Sequence, residues 1–585
     1  MTPSRTDTRA STHWWQDALV YQVYVRSFAD TTGNGVGDLN GIRAHLDHIA
    51  ALGVDAIWLN PCYPSPQKDH GYDVADYFDI HDEYGTLDTF DALVADAAAR
   101  GIKTLMDVVP NHCSSRHRWF LDALASRPGS PERARFYFRD GKGPRGTEPP
   151  NNWQAAFGGS AWTRATADSD LDDIQWYLGT FTPHQPDFDQ TNADVQAMFA
   201  DVLRFWFDRG VEGFRVDAIT PVGKDPALPD QPPVGPEIGT FDITWVNPYT
   251  VFRDEGHEVW RRWRTVIDEY GASHPDRDLM MVAEAYATRR PELTRAFTRQ
   301  DEFHQMFAFD LMLTPWHKES VERALGDIIG ILDETGVAPA WTLNNHDTQR
   351  IVTRLGRPEA EDPESWTGNA LSTTGTDIDL ELGDRRARAL TALAFAVPGS
   401  LYLYQGEELG LPEVFDIPDD RREDPVFHLT DGEGLGRDGC RIPLPWTTDA
   451  ATSFGFSTPA RDGSVGEPWL PQPVAWGDYA AADQAADDES MLAFYRRLSA
   501  ARRNHAVPNG LHAELVDFGP GLVGLRRGSL VVVLNLTDEA IAPAPTVGID
   551  LSAATVVAAS TASPAAAVAS GRIGACSTVW FDLGR

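Results

Sequence analysis

Apolar runs of strand length alternate with stretches of helical period over most of the chain. The first strand is expected at Ala18–Phe28. It is followed by Gly41–Gly53, where Ile42, Leu46, Ile49 and Ala50 fall on one helical face and Gly53 ends the helix. Asp55–Asn60 reads as the second strand, Thr86–Arg100 as an Ala-rich helix ending at Gly101, and Lys103–Val109 as the third strand. The alternation then lapses: residues 113–189 are rich in Pro, Gly, Asn and aromatics and carry no long helical period. It resumes at Asn192–Arg209, whose Val195, Met198, Phe199, Val202, Leu203 and Trp206 form an apolar stripe. Further strands are expected at Gly213–Ile219, Leu279–Tyr286, Met306–Leu311, Ala338–Asn344 and Ser400–Gln405, with helical stretches between them that include His257–Tyr270, Ser320–Glu334 and Asp384–Ala396.

Eight strands in βα alternation point to an α/β fold, a closed (β/α)8 barrel. Residues 1–112 and 190–505 would form the barrel, with 113–189 as a loop-rich domain inserted after strand three. From 506 to 585 short strands (Leu522–Arg526, Leu530–Leu536, Ser577–Phe581) are split by Ala/Pro/Ser-rich turns, which reads as a C-terminal antiparallel β-sandwich domain. The loops at 221–256, 356–383 and 411–480 are too long for simple connections and are expected to wall a functional site.

The 585 residues suit this division, since such a barrel alone absorbs about 250 to over 400 residues. Lys and Arg total 50 against 86 Asp and Glu, a formal charge of −36, which repels phosphate backbones and anionic lipid. Nucleic acid and membrane surfaces are therefore poor partners, while a neutral substrate is compatible; the acidity equally serves solubility. The 18 Trp and 15 Tyr suit a ligand that stacks on rings, although most such residues are packing. Met1–Trp15 lacks the apolar run of a secretory signal, and no stretch of about 18 apolar residues exists to span a bilayer. Cys62, Cys113, Cys440 and Cys576 are scattered without CxxC spacing and read as reduced thiols. The expectation is a cytoplasmic protein, monomeric or a small homo-oligomer.

In such barrels the reactive groups occupy the C-terminal ends of strands. Strand three ends in Asp107-Val108-Val109-Pro110-Asn111-His112, strand four contains Arg215-Val216-Asp217-Ala218, strand five ends at Ala283-Glu284-Ala285, and strand seven at Asn344-Asn345-His346-Asp347. Acids on separate strand ends can converge on one atom. Chemistry that needs two carboxylates without a Ser-His or metal triad is glycoside cleavage: one attacks the anomeric carbon, the other protonates the leaving oxygen and then activates water. Retention places the two ~5–5.5 Å apart. Arg215, on the same strand face as Asp217, is expected to keep that acid ionised and to lower its pKa. Glu284, flanked by Val282, Ala283 and Ala285, is expected to titrate high, as an acid catalyst must. Singly, an Arg-x-Asp in a strand is more often a salt bridge and a strand-end Glu a surface acid; it is the ordered set that carries the reading.

With these motifs the chain resembles the α-amylase superfamily, glycoside hydrolase family 13, over nearly its whole length. Trp14–Phe28, Gly37-Asp38-Leu39-Asn40-Gly41-Ile42, Gln185-Pro186-Asp187 and Arg437-Asp438-Gly439-Cys440-Arg441 are similar to signatures of its oligo-1,6-glucosidase and α-glucosidase branch. The resemblance implies Asp217 as nucleophile, Glu284 as acid/base and Asp347 as a third acid on the sugar hydroxyls, with His112, Arg215 and His346 lining the bound glucose. Asp69 and Tyr72 resemble further parts of that pocket, Tyr72 as a stacking platform. In relatives the first of these pairs with the Arg of the Arg-Asp-Gly segment, here Arg437, closing one end of the cleft so that only a non-reducing end enters; a solvated loop acid is the alternative. Phe157 resembles the family's apolar contact from the inserted domain, or is plain packing.

The implied activity is exo-acting retaining α-glucosidase on a small oligosaccharide or glucoside. Ala218, where relatives acting on α-1,6 bonds carry Val, favours α-1,4 linkages of the maltose type. Gln185-Pro186-Asp187-Phe188-Asp189 departs from the usual Gln-Pro-Asp-Leu-Asn. Transglucosidase or sucrose- or trehalose-isomerising activity is the enzymatic alternative. A non-catalytic scaffold is disfavoured by the retained acids and the missing anchor. Asp30, Thr32, Asn34, Val36 and Asp38 lie at alternating positions of a segment that resembles the branch's calcium loop, implying structural Ca2+ or Mg2+ remote from the chemistry. An Asp/Gly turn without metal is the other reading.

Overall fold

The computed structural model describes residues 13–166, 173–232, 247–251, 253–287, 290–363, 377–561, 568–569 and 571–584. The first twelve residues and parts of the long loops at 221–256 and 356–383 lie outside the described residues. Among the described residues eleven strands precede residue 405: β1 (Leu19–Val23), β2 (Ala56–Leu59), β3 (Lys103–Val108), β4 (Phe138–Asp140), β5 (Trp162–Arg164), β6 (Gln175–Leu178), β7 (Gly213–Val216), β8 (Met280–Ala283), β9 (Gln305–Ala308), β10 (Ala340–Thr342) and β11 (Ser400–Tyr404). Eight of them close into a barrel in the order β1-β11-β10-β9-β8-β7-β3-β2, every pairing parallel.

The two-residue period of a strand sorts the barrel's side chains into two cores. Tyr21, Ile57, Met106, Phe214, Met281 and Leu401 face outward into the large core shared with the helices. Val20, Trp58, Leu105, Met280, Val282, Phe307 and Tyr402 form a separate cluster. Its rings touch between strands that are not neighbours, Trp58 with Phe307 at 5.8 Å and with Tyr402 at 6.1 Å, so this cluster fills the lumen.

The expected strands are present with shorter spans, while helices Asp254–Ser273, Lys318–Thr335 and Leu380–Ala394 are longer than the expected 257–270, 320–334 and 384–396. Gly41–Gly53 is two helices, Leu39–Ala44 and Leu46–Ala51, broken where His45 (φ −112°, ψ 14°) stacks on Trp446 at 3.8 Å. The stretch 113–189 is more regular than its composition suggests. It holds a helix, Arg118–Ala125, and a three-stranded sheet in the order β4-β6-β5, elements too short for periodicity to register.

After the barrel, β12 (Glu514–Val516), β13 (Leu522–Arg527), β14 (Leu530–Asn535), β15 (Thr555–Ala559) and the strand Ser577–Asp582 form one five-stranded sheet, in the order β12-β13-β14-(577–582)-β15. One face (Val523, Leu525, Val532, Leu534, Trp580) joins the main core, and Trp580 Nε1 donates to the carbonyl of Ala392 on helix Leu380–Ala394 at 2.9 Å. The other face (Leu522, Val531, Val533, Val579, Phe581) has its own small core under the turns at Ile541 and Ile549. Among the described residues no helix is long and apolar enough to cross a membrane.

Candidate active site

Strand parity carries the lumen's chemistry to its mouth. Asp107 is opposite Arg215 in the β3–β7 ladder, and Arg215 is opposite Val282 on β8. Asp217 stands two residues past Arg215 and Glu284 two past Val282, so both keep the inward direction just beyond their strands. Arg215 Nη1 donates to Oδ1 of Asp217 and to Asp107 at 2.9 and 3.2 Å, while its Nη2 lies 3.8 Å from Oε2 of Glu284. One guanidinium thus gathers three acids, with its carbon 5.2 Å above the Trp58 ring.

A second cluster forms around Arg437. Its Nη2 donates to Asp69 Oδ1 at 2.8 Å, Nη1 to Asp347 Oδ1 at 3.0 Å and Nε to Asp424 Oδ2 at 2.6 Å. Arg441 adds a 3.0 Å bond to the same oxygen of Asp347. The Phe157 ring centre is 5.0 Å from the Arg437 guanidinium carbon. His346 joins the two clusters. Gln22 Nε2 donates to its Nδ1 at 2.8 Å, so its Nε2 carries the proton and meets the Tyr72 hydroxyl at 2.7 Å; that hydroxyl donates to Asp107 at 3.0 Å. The Tyr72 and His346 rings lie nearly parallel, 5.3 Å apart. His112 meets Gln185 Nε2 at 3.0 Å, and the same amide donates to Asp69 at 2.9 Å, which ties the Gln-Pro-Asp segment to the site.

One pocket is lined by Asp69, Tyr72, His112, Phe157, Arg215, Asp217, Glu284, His346, Asp347 and Arg437, so every residue expected at the sugar or in catalysis borders it. Phe181, Ala218, Thr220, Pro221 and Tyr286 complete the lining. Tyr286 was within reach of sequence reasoning, being two residues past Glu284 on the same strand face. Phe181 and Pro221 come from irregular segments, where no period says which way a side chain points. Asp107 stood among the strand-end acids without a role; the Arg215 and Tyr72 contacts supply one.

The electrostatics correct one expectation. Burial pushes the Asp217 carboxyl well above the usual range; the charge of Arg215 opposes this, and those of Glu284 and Asp107 reinforce it. Arg215 does stabilise the anion, but its single charge is divided among three acids, so it does not lower the pKa as it would for an isolated pair. Glu284 is raised as expected, again chiefly by burial. Asp107 is pushed up to about 6, also by burial. For Asp347 burial acts upward too, yet His346, Arg437 and Arg441 outweigh it and hold the acid well below the carboxylate range. Burial drives His112 down to about 4 and His346 well below its usual value, leaving both neutral hydrogen-bonding groups.

The segment Asp30–Asp38 curls around its own acids and does not border the pocket. Asp30 accepts the N–H groups of Thr32, Gly33 and Gly35, each at 2.8 Å, and the Thr32 hydroxyl at 3.0 Å. Asn34 Oδ1 accepts from Val36 N at 2.9 Å. Asp38 accepts from Thr31 N at 2.7 Å and from Gly41 N at 2.8 Å, capping helix Leu39–Ala44.

Residues 22–510 match the family model of the alpha-amylase catalytic domain. A probable alpha-glucosidase of Rhizobium meliloti (strain 1021) is 36% identical over 546 residues, covering 90% of each chain. The trehalose-6-phosphate hydrolase of Escherichia coli (strain K12) is 33% identical over 558 residues, covering 90% of this chain and 91% of its own. Among solved structures, the alpha-glucosyl transfer enzyme XgtA superposes with a TM-score of 0.80 at 30% identity, covering 98% of this chain and all of the other.

Proposed function

The chain belongs to the alpha-amylase family of glycoside hydrolases, and from that premise we propose that it is an exo-acting retaining α-glucosidase cleaving short α-1,4-glucosides of the maltose type. The observation that carries the reading is the grouping of Asp217 and Glu284 around Arg215 in one pocket whose other end is tied shut by Asp69–Arg437.

Asp217 attacks the anomeric carbon while Glu284 gives its proton to the departing oxygen. Asp217 must be ionised and Glu284 protonated for this step, and one proton shared by the raised pair meets both needs. Water, or a sugar hydroxyl in the transfer alternative, then loses its proton to Glu284 and displaces Asp217. Asp347, held anionic by two arginines, accepts hydroxyl hydrogens of the glucose, and neutral His112 and His346 serve as further partners. The Asp69–Arg437 bridge stands across one end of the pocket, which supports exo-action. The small side chain of Ala218 supports α-1,4 over α-1,6 bonds.

Release of glucose from maltose, isomaltose, sucrose, trehalose, trehalose 6-phosphate and p-nitrophenyl α-glucoside tests the assignment. Maltose is expected to be cleaved best, with α-glucose released first. An isomer as main product would replace hydrolase by isomerase, and preference for the phosphorylated disaccharide would replace the substrate class.

The Asp30–Asp38 loop is the proposed place for Ca2+ or Mg2+, its oxygens coming from Asp30, Thr32, Asn34, Val36 and Asp38. In support, the buried Asp30 and Asp38 carboxylates meet no basic side chain among the described residues, and burial together with the Asp30 charge raises Asp38. Chelation is expected to lower the Tm of the parent chain and to leave that of Asp30→Asn unchanged; equal response of the two would remove the site. We also propose that the sheet β4-β6-β5 marks 113–189 as a domain distinct from the barrel, with 506–585 as a third.

A further inference from the structure

Behind the Asp69–Arg437 bridge lies a set of buried polar atoms that the chemistry above does not use. His70, Asp424 and Asp438 present ligand-type atoms within 4.8 Å of one another. His70 Nε2 and Asp438 Oδ1 are 3.9 Å apart, and both are buried without a hydrogen-bond partner. The Tyr24 hydroxyl and Arg441 Nη1 are likewise buried without a hydrogen bond, Nη1 lying 3.7 Å from Asp424 Oδ2 and the Arg441 guanidinium 5.4 Å from the Tyr24 ring centre. Charges of Asp438 and Arg441 both bear on the Tyr24 hydroxyl, and that of Arg441 bears on His70 as well.

A His with two Asp suggests a metal, but the tautomer argues otherwise. Arg26 Nη1 lies 3.2 Å from His70 Nδ1 and can only donate, so Nδ1 accepts and the proton sits on Nε2. Nε2 therefore offers a hydrogen, not a lone pair. A donor and a carboxylate oxygen 3.9 Å apart are too far for a direct bond, and a group about 2.8 Å from each, able both to accept and to donate, spans them. Water has that chemistry, and a donor such as Arg441 Nη1 or the Tyr24 hydroxyl gives it a third partner.

We infer that His70 is a positioning residue that acts through one buried bridging water on Asp438 and thereby fixes Arg437. The path is continuous. Asp438 Oδ2 accepts the N–H groups of Glu423 and Asp424 at 2.9 and 3.1 Å, Asp424 accepts Arg437 Nε at 2.6 Å, and Arg437 bonds Asp69, the chain neighbour of His70. The ring so closed locks the end of the pocket that receives the glucose. His70 holds a left-handed φ of +50°, a conformation that costs any side-chain-bearing residue energy and that this ring maintains.

The role rests on the α-glucosidase reading, and the test separates the two. Steady-state kinetics on maltose are measured for the parent chain, His70→Phe and His70→Gln, with a crystal structure of the parent. Phe and Gln bear similar backbone strain at this φ, and only Gln restores an N–H toward Asp438 and an acceptor toward Arg26. His70→Phe is expected to raise KM roughly fivefold to tenfold, with kcat changed less than about twofold, and His70→Gln to return KM to within about twofold of the parent. The crystal structure is expected to hold one water peak within hydrogen-bond distance of His70 Nε2 and Asp438 Oδ1. An unchanged KM in His70→Phe, failure of Gln to rescue, a site without water, or anomalous scattering from a metal there would each overturn the inference. Should His70→Phe not fold, His70→Gln and the parent crystal decide. A parent inactive on every α-glucoside would sink the functional reading instead, leaving the water peak to judge this one.

Discussion

The backbone N–H of Ala218 donates to Oε2 of Glu284 at 2.8 Å, so the residue after Asp217 holds the second acid of the pocket. Ala218 does this from a left-handed φ of +45°, which turns the chain at the end of β7 and aims its N–H across to β8. A β-branched side chain is strongly disfavoured there, by more than the ~1–2 kcal/mol that an ordinary residue costs. Ala218→Val is therefore expected to lower Tm and to reduce kcat/KM on maltose about tenfold by loosening Glu284. If Ala218 also sets linkage preference, the isomaltose-to-maltose ratio rises. A calorimetric scan and the two rate ratios check this; wild-type values in both would show that Val is absorbed without strain.

Asp217→Asn and Glu284→Gln are each expected to lower maltose turnover by several orders of magnitude with an unchanged circular dichroism spectrum. Removing one carboxylate from such a pair abolishes a step that nothing else in the pocket performs. Glu284→Gln is expected to recover partly on p-nitrophenyl α-glucoside, whose leaving group departs unprotonated. Near-normal turnover in either variant, or no difference between substrates for Glu284→Gln, would refute the roles.

The raised Asp217 pKa makes a signed prediction. With Asp217 as the proposed nucleophile, activity requires its ionised form, so the rate falls as pH drops through that pKa. Burial is its first cause, and a negative charge on Glu284 adds to it only where Glu284 is ionised. Glu284 is protonated in the proposed reactive form, so Glu284→Gln is expected to keep the acidic limb near its parental place and to lose the alkaline limb, which reads ionisation of Glu284. Pre-steady-state release of p-nitrophenol by Glu284→Gln, followed across pH, reads both limbs. An acidic limb that moves by more than about one pH unit, or an alkaline limb that survives, contradicts the assignment.

The barrel was legible because its signals are long and periodic: the stripe of helix Ala193–Asp208 buries Val195, Phe199, Val202, Leu203 and Trp206 as its spacing implies. Parity did the same for the site, since Arg215-x-Asp217 and Val282-x-Glu284 fix which side chains share the lumen. What the chain does not spell out is summed charge. Arg215 beside Asp217 looks like a pair until the fold adds Asp107, in register across the sheet but over a hundred residues earlier in sequence. Short elements fare no better: β4 to β6 span three or four residues each, below the length at which a period of two is distinguishable from a loop.

Below the pocket, Glu407 is buried with its oxygens on Asn344 Nδ2 (2.8 Å) and the Tyr495 hydroxyl (2.7 Å), and burial pushes its pKa up to about 7. A carboxyl raised above its unfolded value favours folding while protonated, so its contribution is lost as pH climbs through about 7. Glu407→Gln keeps a carbonyl acceptor for Asn344 and carries no charge. Its Tm relative to the parent is expected to rise between pH 5 and pH 8. A difference that is flat or falls with pH would mean that Glu407 is ionised at no cost.

The proposed exo-action rests on the Asp69–Arg437 bridge, and Asp69→Asn tests it with little change of volume. Asn keeps its one oxygen for Arg437 Nη2 and loses the bond that Gln185 Nε2 donates to the second carboxylate oxygen, a local change that the fold is expected to survive. It also loses the charge holding Arg437 across the pocket end, in competition with Asp347 and Asp424. Weakening a buried, charge-assisted pair of this kind costs about 1–3 kcal/mol, hence roughly a fivefold to hundredfold fall in kcat/KM on maltose, carried mainly by KM. Deleting Arg437 is the poorer experiment, because Asp69 would be left buried without its cation and Asp424 with Arg441 at 3.7 Å in place of a direct bond. If the bridge bars longer chains, Asp69→Asn also gains measurable cleavage of a maltooligosaccharide blocked at its non-reducing end, which the parent leaves intact. Mass spectrometry of the products reads this directly. Maltose kinetics equal to the parent, or blocked substrate cut equally by both, would show that the pocket is closed by something other than this ion pair.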